Sequence, residues 1–506
     1  MRGKRAFKNI FISLILQLIT LLCGFIIPKL IIKTYGSEVN GLINSITQFL
    51  GYIVLLEAGI GPVIKSCLYK PLSKKNTTEI INILSTSEKF FKKISLIFIG
   101  YIVLLCLLYP SFINSQFSSA FTVSLILIIS VSIFCEYYFG MTYRLFLKAN
   151  QESYIISYIQ IFTLILNTIS TVILIKLNFS IQSVKLFSSM IFVLRPLVQY
   201  YYVKKKYAFE LNNADGSYKL EQKWDGLSQH IAAVIHDNTD VVVLTLFCNL
   251  KLVSIYSVYS LVVKGIKSLI ESLTNGIDSA FGDMIAKNET NILNKSFEKY
   301  EFIYFTIITI IFSCCFVLIT PFITVYTNGI SDANYIQLSF GYIIVLAEFA
   351  YAIRIPYNVL ALSAGSFKRM NKAAWVETVT NIVISTLLVM KYGLVGVAVG
   401  TLISMMYRTI DFILLASNDI LKRPYTFTFK RIVIVLFELL IIFLGDCMLE
   451  KYFVFNSFIN WVIYAFIIFI LSVIVYILLL AIFDINKLNY FKNIKGEFSY
   501  VKKGNK

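Results

Sequence analysis

No phosphate-cradling G-x-x-x-x-G-K-[ST] loop occurs anywhere in the chain, so it has no P-loop with which to hydrolyse ATP. A Gly-rich dinucleotide fingerprint, a metalloprotease helix and a nucleophile elbow are missing too. The eight cysteines all lie inside or beside apolar stretches. Cys314–Cys315 is the one adjacent pair and no metal-ligand spacing appears, which speaks against a disulfide framework or a cysteine metal site. Charged residues make up only 15% of the sequence, far below the share in soluble domains.

What is abundant is apolar, at 58% of 506 residues. It falls in runs of about 20, the length that crosses roughly 30 Å of hydrocarbon. Fourteen such segments are read at 10–32, 41–64, 94–109, 120–143, 154–175, 181–203, 228–248, 252–276, 301–325, 338–363, 373–390, 393–417, 431–449 and 459–483. The expectation is an all-α membrane protein of about 14 transmembrane helices. The N-terminal Met1–Asn9 leads into an apolar run too long for a signal-peptide core and lacking a small-residue cleavage site, so it reads as an uncleaved first span.

The net charge of +18 is distributed by side. Most of the 46 Lys and Arg sit in the N-terminus, the even-to-odd loops and the C-terminus, while the intervening loops carry few. By the positive-inside rule both termini are cytoplasmic. The basic charge is then topology and contact with anionic lipid, not a nucleic-acid footprint. The outward loops are short, Pro110–Ser119, Thr327–Tyr335 and Gly445–Ser457 being the longest, and leave no outward domain for chemistry.

A repeat underlies the segments. Ile169–Lys176 reads ISTVILIK, and Ile384–Lys391 in the second half reads ISTLLVMK. Glu57 and Glu271 are separated by nearly the same interval. Six spans per half is an even number, so both halves enter the membrane from one side and are related by an axis along its normal. The organisation expected is an N-terminal six-helix lobe at 1–206, a cytoplasmic linker at 207–227, a C-terminal six-helix lobe at 228–418, and two further helices with a basic cytoplasmic tail at 419–506. The two lobes are expected to surround a central cavity.

Polar residues within spans are costly and normally face water or a partner. Asn40, Asn44, Gln48 and Tyr52 recur every four residues along one helix face in segment 2. Segment 8 carries Ser260, Lys264, Lys267, Glu271, Thr274 and Asp278 at alternating steps of four and three. These stripes are candidate cavity walls; for segment 8 the alternative is a solvated face beyond the membrane. Segment 7 holds both histidines, His230 and His236, with Asp237 and Asp240, a cluster suited to carrying a proton or binding a cation. The alternative is that Asp240 pairs with a basic residue. Arg195-Pro196 and Arg354-Ile-Pro356 put a guanidinium beside a helix-disrupting proline, and the planar fork suits phosphate oxygens. Arg408 and Asp411, three apart, are expected to pair. Gly393, Gly396 and Gly400 read as close-packing positions.

The stretch Tyr35–Phe49, together with Leu55–Gly61, Leu68–Leu72, Asn238–Val243, Tyr256–Tyr259 and Phe281-Gly282, resembles Wzx-type polysaccharide flippases, which belong to the multidrug/oligosaccharidyl-lipid/polysaccharide exporter (MOP) superfamily. The likeness covers essentially the whole chain. It implies a flippase that moves undecaprenyl-diphosphate-linked oligosaccharide repeat units across the bacterial cytoplasmic membrane for O-antigen, capsule or other surface polysaccharide. Alternating access, driven by an ion gradient or the membrane potential, is implied with it. Substrate binding is then expected at Arg195, Arg354, Asn40, Asn44, Gln48, Tyr52, Lys264 and Lys267. Ion coupling or gating is expected at Glu57, His236, Asp237, Asp240 and Glu271. A proton or sodium ion is the coupling cation that the resemblance leaves open; no cofactor, metal or nucleic acid is implied. A monomer in contact with membrane lipid is expected, with association with polysaccharide polymerase machinery left open. The rival readings are a multidrug-type cation antiporter and a teichoic-acid repeat-unit flippase. A membrane glycosyl polymerase or ligase would need a larger outward loop.

Overall fold

The computed structural model describes residues 2–57, 59–113, 117–207, 218, 224–272, 274 and 277–484. Most of the expected linker 207–227 and the basic tail beyond 484 lie outside the described residues. Among the described residues the protein is all-helical, with no strand. In chain order the helices are α1 (Arg2–Tyr35), α2 (Ser37–Gly51), α3 (Val54–Glu57), α4 (Ile60–Lys74), α5 (Thr77–Phe112), α6 (Ser119–Cys135), α7 (Met141–Ala149), α8 (Ser153–Lys176), α9 (Ile181–Tyr207), α10 (Trp224–Phe247), α11 (Leu250–Ser272), α12 (Ile277–Ala286), α13 (Thr290–Tyr326), α14 (Leu338–Ser363), α15 (Phe367–Tyr392), α16 (Leu394–Leu414), α17 (Thr426–Leu449) and α18 (Phe458–Phe483).

Among the described residues thirteen helices are long and apolar enough to cross a membrane. They correspond to every expected segment except 228–248. That segment is α10, less apolar because it carries His230, His236, Asp237, Asn238 and Asp240. The third and eleventh segments, short in the hydropathy pattern, are parts of longer helices, α5 and α15. The polar start of α5 is helical because Asn76 caps it: its Oδ1 accepts from the Glu79 N–H at 3.2 Å and its Nδ2 donates to Glu79 Oε2 at 3.1 Å. Ser118 and Ser457 cap α6 and α18 through their own hydroxyls.

The chain forms two compact units. The first comprises residues 1–261, 329–334 and 367–401. In it α1 packs on α8, α8 on α9, α9 on α6, α2 on α10 and α10 on α15. Its core joins Leu42, Ile46 and Leu50 of α2 to Phe91 and Phe98 of α5 and Phe146 of α7. Small residues set the closest approaches, as packing in lipid requires. A Cβ on Gly41 would lie 1.8 Å from the Leu250 carbonyl oxygen, and one on Gly400 would lie 2.2 Å from Ser385 Oγ. Gly396 packs likewise against Leu388. Gly393 differs from the close-packing expectation. It makes only ordinary contact, and its φ of 54° turns the chain from α15 into α16.

The second unit comprises 262–328, 335–366 and 402–506. Here α13 is flanked by α14, α17 and α18, around Phe302, Val317, Ile434, Ile442, Tyr464 and Ile468. Large apolar side chains also cover the outer faces. Leu107, Phe162, Met390, Ile459 and Ile482 are among many more than half exposed, a surface that belongs in hydrocarbon.

Candidate functional site

Three of the expected site residues converge in the second unit, on a residue outside the polar stripes. The Tyr351 hydroxyl of α14 donates to Glu271 Oε1 at 2.6 Å. Lys267 Nζ, one turn before Glu271 on α11, lies 3.7 Å from the centre of the Tyr351 ring, and the Arg354 guanidinium carbon lies 4.3 Å from it. Two cations therefore rest against one tyrosine whose hydroxyl is fixed by a carboxylate. Lys264, one turn nearer the middle of α11, is exposed, so the stripe divides between this cluster and an open face.

The first unit holds a counterpart. Glu57 Oε2 accepts from the Tyr137 hydroxyl at 3.3 Å. Tyr137 and Glu57 stand 80 residues apart, as do Tyr351 and Glu271. Both members of the second pair stand 214 residues after those of the first, the offset expected of a duplication. The cations are not duplicated: Ile53 and Gly140 stand where Lys267 and Arg354 would fall.

Asp240 is the centre of a separate group, also in the first unit. It is buried on α10, where the Tyr256 hydroxyl donates to Oδ2 at 2.8 Å and Thr401 Oγ1 lies 2.9 and 2.8 Å from its two oxygens. Asn381 Nδ2 is 3.5 Å from Oδ1 and donates to Thr401 Oγ1 at 3.1 Å. No lysine or arginine forms an ion pair with Asp240 among the described residues. His236, one turn away, is also buried and its Nδ1 has no hydrogen-bond partner. Asp237 and His230 are exposed on other faces of α10.

The α2 stripe is less uniform than its spacing. Asn40 is buried and donates to Ser254 Oγ at 2.8 Å and to Ser257 Oγ at 3.2 Å. Asn44 Nδ2 turns back onto the Asn40 carbonyl, while Gln48 and Tyr52 are half-buried. Arg195 is not part of the tyrosine cluster. On α9 of the first unit its Nε donates to Thr163 Oγ1 at 2.8 Å and its guanidinium covers the Phe192 ring at 4.2 Å. Arg408 and Asp411 pair at 3.4 Å, as their spacing predicts.

Several buried acids are absent from the candidates that the sequence offers. Glu348 on α14 is buried with one oxygen lacking a hydrogen-bond partner. Glu301 on α13 accepts from Arg423 at 2.6 Å and Thr428 at 3.1 Å, bonds the Tyr357 hydroxyl, and pairs with Arg431 at 2.8 Å. Glu438 and Asp446 of α17 are buried as well. Each lies in or beside a run so apolar that hydropathy alone hides it; the one signal available is a lone acid in a span.

No family model matches the chain, and no curated protein matches it in sequence. Solved structures do match its fold. An inward-closed lipid II flippase MurJ is similar with a TM-score of 0.68 at 18% identity, over 95% of this chain and 100% of that one. An inward-facing multidrug resistance MATE family transporter of the MOP superfamily is also similar, with a TM-score of 0.63 at 13% identity, over 81% of this chain and 97% of the other. A MOP superfamily transporter from Pyrococcus furiosus, described by a binding pocket of reversed polarity, gives 0.51 at 13% identity over 82% and 95%. The fold is that of the MOP-type transporters. At these identities the likeness establishes architecture and leaves the cargo to the chemistry of the residues.

Proposed function

We propose that this protein is a flippase for undecaprenyl-diphosphate-linked oligosaccharide repeat units, acting by alternating access in a bacterial cytoplasmic membrane with both termini cytoplasmic. The observation that carries this reading is the pair of cations, Lys267 and Arg354, held against Tyr351. A diphosphate cannot enter hydrocarbon unaided, because losing its water costs many kcal/mol. A lysine and an arginine fork replace that water with charge-assisted hydrogen bonds. The fold likeness supports the same class, since the lipid II flippase spans nearly all of this chain and the multidrug transporter about four-fifths.

Glu271 and Tyr351 orient the cations, and Asp240 with His236 is the candidate coupling site for a proton or sodium ion. With the cytoplasm negative, outward movement of each negative charge gains roughly 2.3 kcal/mol per 100 mV, so the potential alone can drive net anion export. The cargo serves capsule or other surface-polymer synthesis in this reading; a teichoic-acid repeat unit presents the same phosphate chemistry.

Flipping of a fluorescent undecaprenyl-diphosphate oligosaccharide in proteoliposomes tests the proposal. Protein-dependent flipping that collapses in Arg354→Ala or Lys267→Ala and responds to potential or ion gradient supports it. Flipping that persists in both variants discards the anchor. Absence of flipping, with export of cationic dyes that depends on Asp240, favours the multidrug-type antiporter. That second reading is kept because Asp240 is a buried acid with no lysine or arginine ion pair among the described residues.

A further inference from the structure

Glu438 lies at the middle of α17, which the hydropathy pattern presents as uninterrupted apolar sequence. Its side chain is fully buried. Ser472 Oγ of α18 donates to Oε1 at 2.7 Å, while Oε2 has no hydrogen-bond partner. Ser313 of α13 faces it as a second hydroxyl neighbour, outside the strict hydrogen-bond geometry that Ser472 meets. A hydroxyl beside a carboxyl oxygen can donate to the carboxylate or accept from the acid, so the pair accommodates either protonation state. No lysine or arginine forms an ion pair with Glu438 among the described residues; Arg431, two turns away on α17, is committed to Glu301 at 2.8 Å. The other polar groups near Glu438 are Cys314 of α13 and Tyr476 of α18. A bare carboxylate in such surroundings is costly and neutralises instead.

A cavity of about 20 Å³ lies on the Asp484 side of this acid. It is lined by Thr309, Arg431, Val435, Tyr476 and Asp484 among others. The registers of the three helices agree. Thr309 is one turn from Ser313, Val435 one turn from Glu438, and Tyr476 one turn from Ser472. The volume admits one water, which the Tyr476 hydroxyl, the Thr309 oxygen and Arg431 can hold. Asp484, directly after α18, stands at the end of the helices. In the other direction Asp446 lies two turns along α17 from Glu438, roughly 12 Å along the helix. Asp446 accepts from the Tyr464 hydroxyl, and the fully buried Ile442 and Ile468 fill the interval. Polar groups thus line a cavity that ends one helical turn from Glu438 on the Asp484 side, and an apolar layer closes the Asp446 side.

We propose that Glu438 is an exchangeable proton-binding site, loaded through the cavity between Thr309 and Tyr476 from the Asp484 end of α18. On loading, a hydrated proton entering the cavity crosses the remaining helical turn between Val435 and Glu438 to reach Oε2, giving a neutral acid that donates to Ser313 Oγ. On release the proton returns to the cavity water and leaves a carboxylate held by Ser472. The site is separate from Asp240, which belongs to the first unit, and it does not depend on which cargo the protein moves.

Infrared difference spectra of the full chain in liposomes, taken across a pH series in H2O and D2O, test it. The expected result is a protonated-carboxyl carbonyl band that changes with pH, is lost in Glu438→Gln and shifts in Ser472→Ala. If Glu438→Gln does not fold, Ser472→Ala and Thr309→Val decide: the first shifts the band, the second slows hydrogen–deuterium exchange of the acid by tenfold or more. A band insensitive to pH, or one unchanged in Ser472→Ala, overturns the proposal and leaves Glu438 a permanently protonated packing residue. Because the spectra read Glu438 directly, they stand whether or not flipping is observed.

Discussion

Asn40 donates a 2.8 Å hydrogen bond to Ser254, the residue that stands 214 positions later. That interval also separates Glu57 from Glu271. In the proposed two-lobed organisation Asn40 and Ser254 are equivalent positions, and a residue that touches its own counterpart would lie on the pseudo-twofold axis. Ser257 takes the second Asn40 hydrogen at 3.2 Å, and the Leu250 backbone fits against Gly41. Double-mutant cycles with Asn40→Ala and Ser254→Ala should give a coupling of about 0.6 kcal/mol, and at most about 1.7 kcal/mol, as polar pairs between membrane helices do. A cysteine at each position should cross-link without reshaping the helices. Coupling indistinguishable from zero, with no cross-link, would remove this pair from the axis.

Tyr351→Phe keeps the ring under Lys267 and Arg354 but releases Glu271. In the transport reading this variant should bind and flip the lipid diphosphate several-fold less well, while Tyr351→Leu, which removes the ring, should lose tenfold or more, about 1.4 kcal/mol. Arg195→Ala should have a much smaller effect, because Arg195 is engaged with Thr163 and Phe192. Equal losses in all three variants would place the anchor elsewhere.

The helices are legible in the sequence because membrane length and apolar composition leave few alternatives. Helices α5 and α15 run beyond their apolar cores, α5 where Asn76 caps its polar start. The site is legible in part. Lys267, Glu271 and Arg354 stand out as charges in or beside spans, and the structure adds the tyrosine between them, which looks like any aromatic in an apolar helix. Asp240 is visible because its neighbours are polar. Glu438 and Glu301 are not, because a single acid hardly alters the hydropathy of a whole span. The partners that explain them come from other helices and loops, distant in the chain.

Asp240→Asn should retain packing, since an amide oxygen still accepts from Tyr256 and Thr401. The expected change is loss of whatever gradient dependence transport shows, with flipping at zero gradient kept. A melting temperature unchanged within two degrees or so would separate this from unfolding, because about 1 kcal/mol shifts the melting temperature of a larger domain by roughly 2–4 °C. Gradient dependence that survives in Asp240→Asn would move coupling to another acid.

Gly41→Ala tests a close backbone approach in the first unit. The added methyl would lie 1.8 Å from the Leu250 carbonyl oxygen, and backbone atoms cannot swing aside as a side chain can. The helices α2 and α11 must separate to admit it, at a cost of about 1–3 kcal/mol or more. Folded yield and melting temperature should both fall, whereas Gly100→Ala, with open space around it, should leave them unchanged. Equal tolerance of the two substitutions would show that α2 and α11 part readily at this point.

Glu301 holds two arginines of different origin, Arg423 from the segment after α16 and Arg431 from α17 itself. It also binds the Tyr357 hydroxyl and Thr428, so one carboxylate ties α17 to α13 and α14. Removing a buried member of such a network leaves charge without its counterpart and costs about 3–5 kcal/mol, whereas replacing the whole network by apolar groups of similar size is often neutral. Glu301→Ala should therefore sharply lower the melting temperature, and Glu301→Leu combined with Arg423→Met and Arg431→Met should recover most of the loss. The triple variant would also test the independence of the neighbouring acid: Arg431 lines the cavity beside Glu438, so the infrared band should persist but titrate differently. If the single and triple variants were equally destabilised, the charges would be contributing stability of their own rather than only satisfying one another.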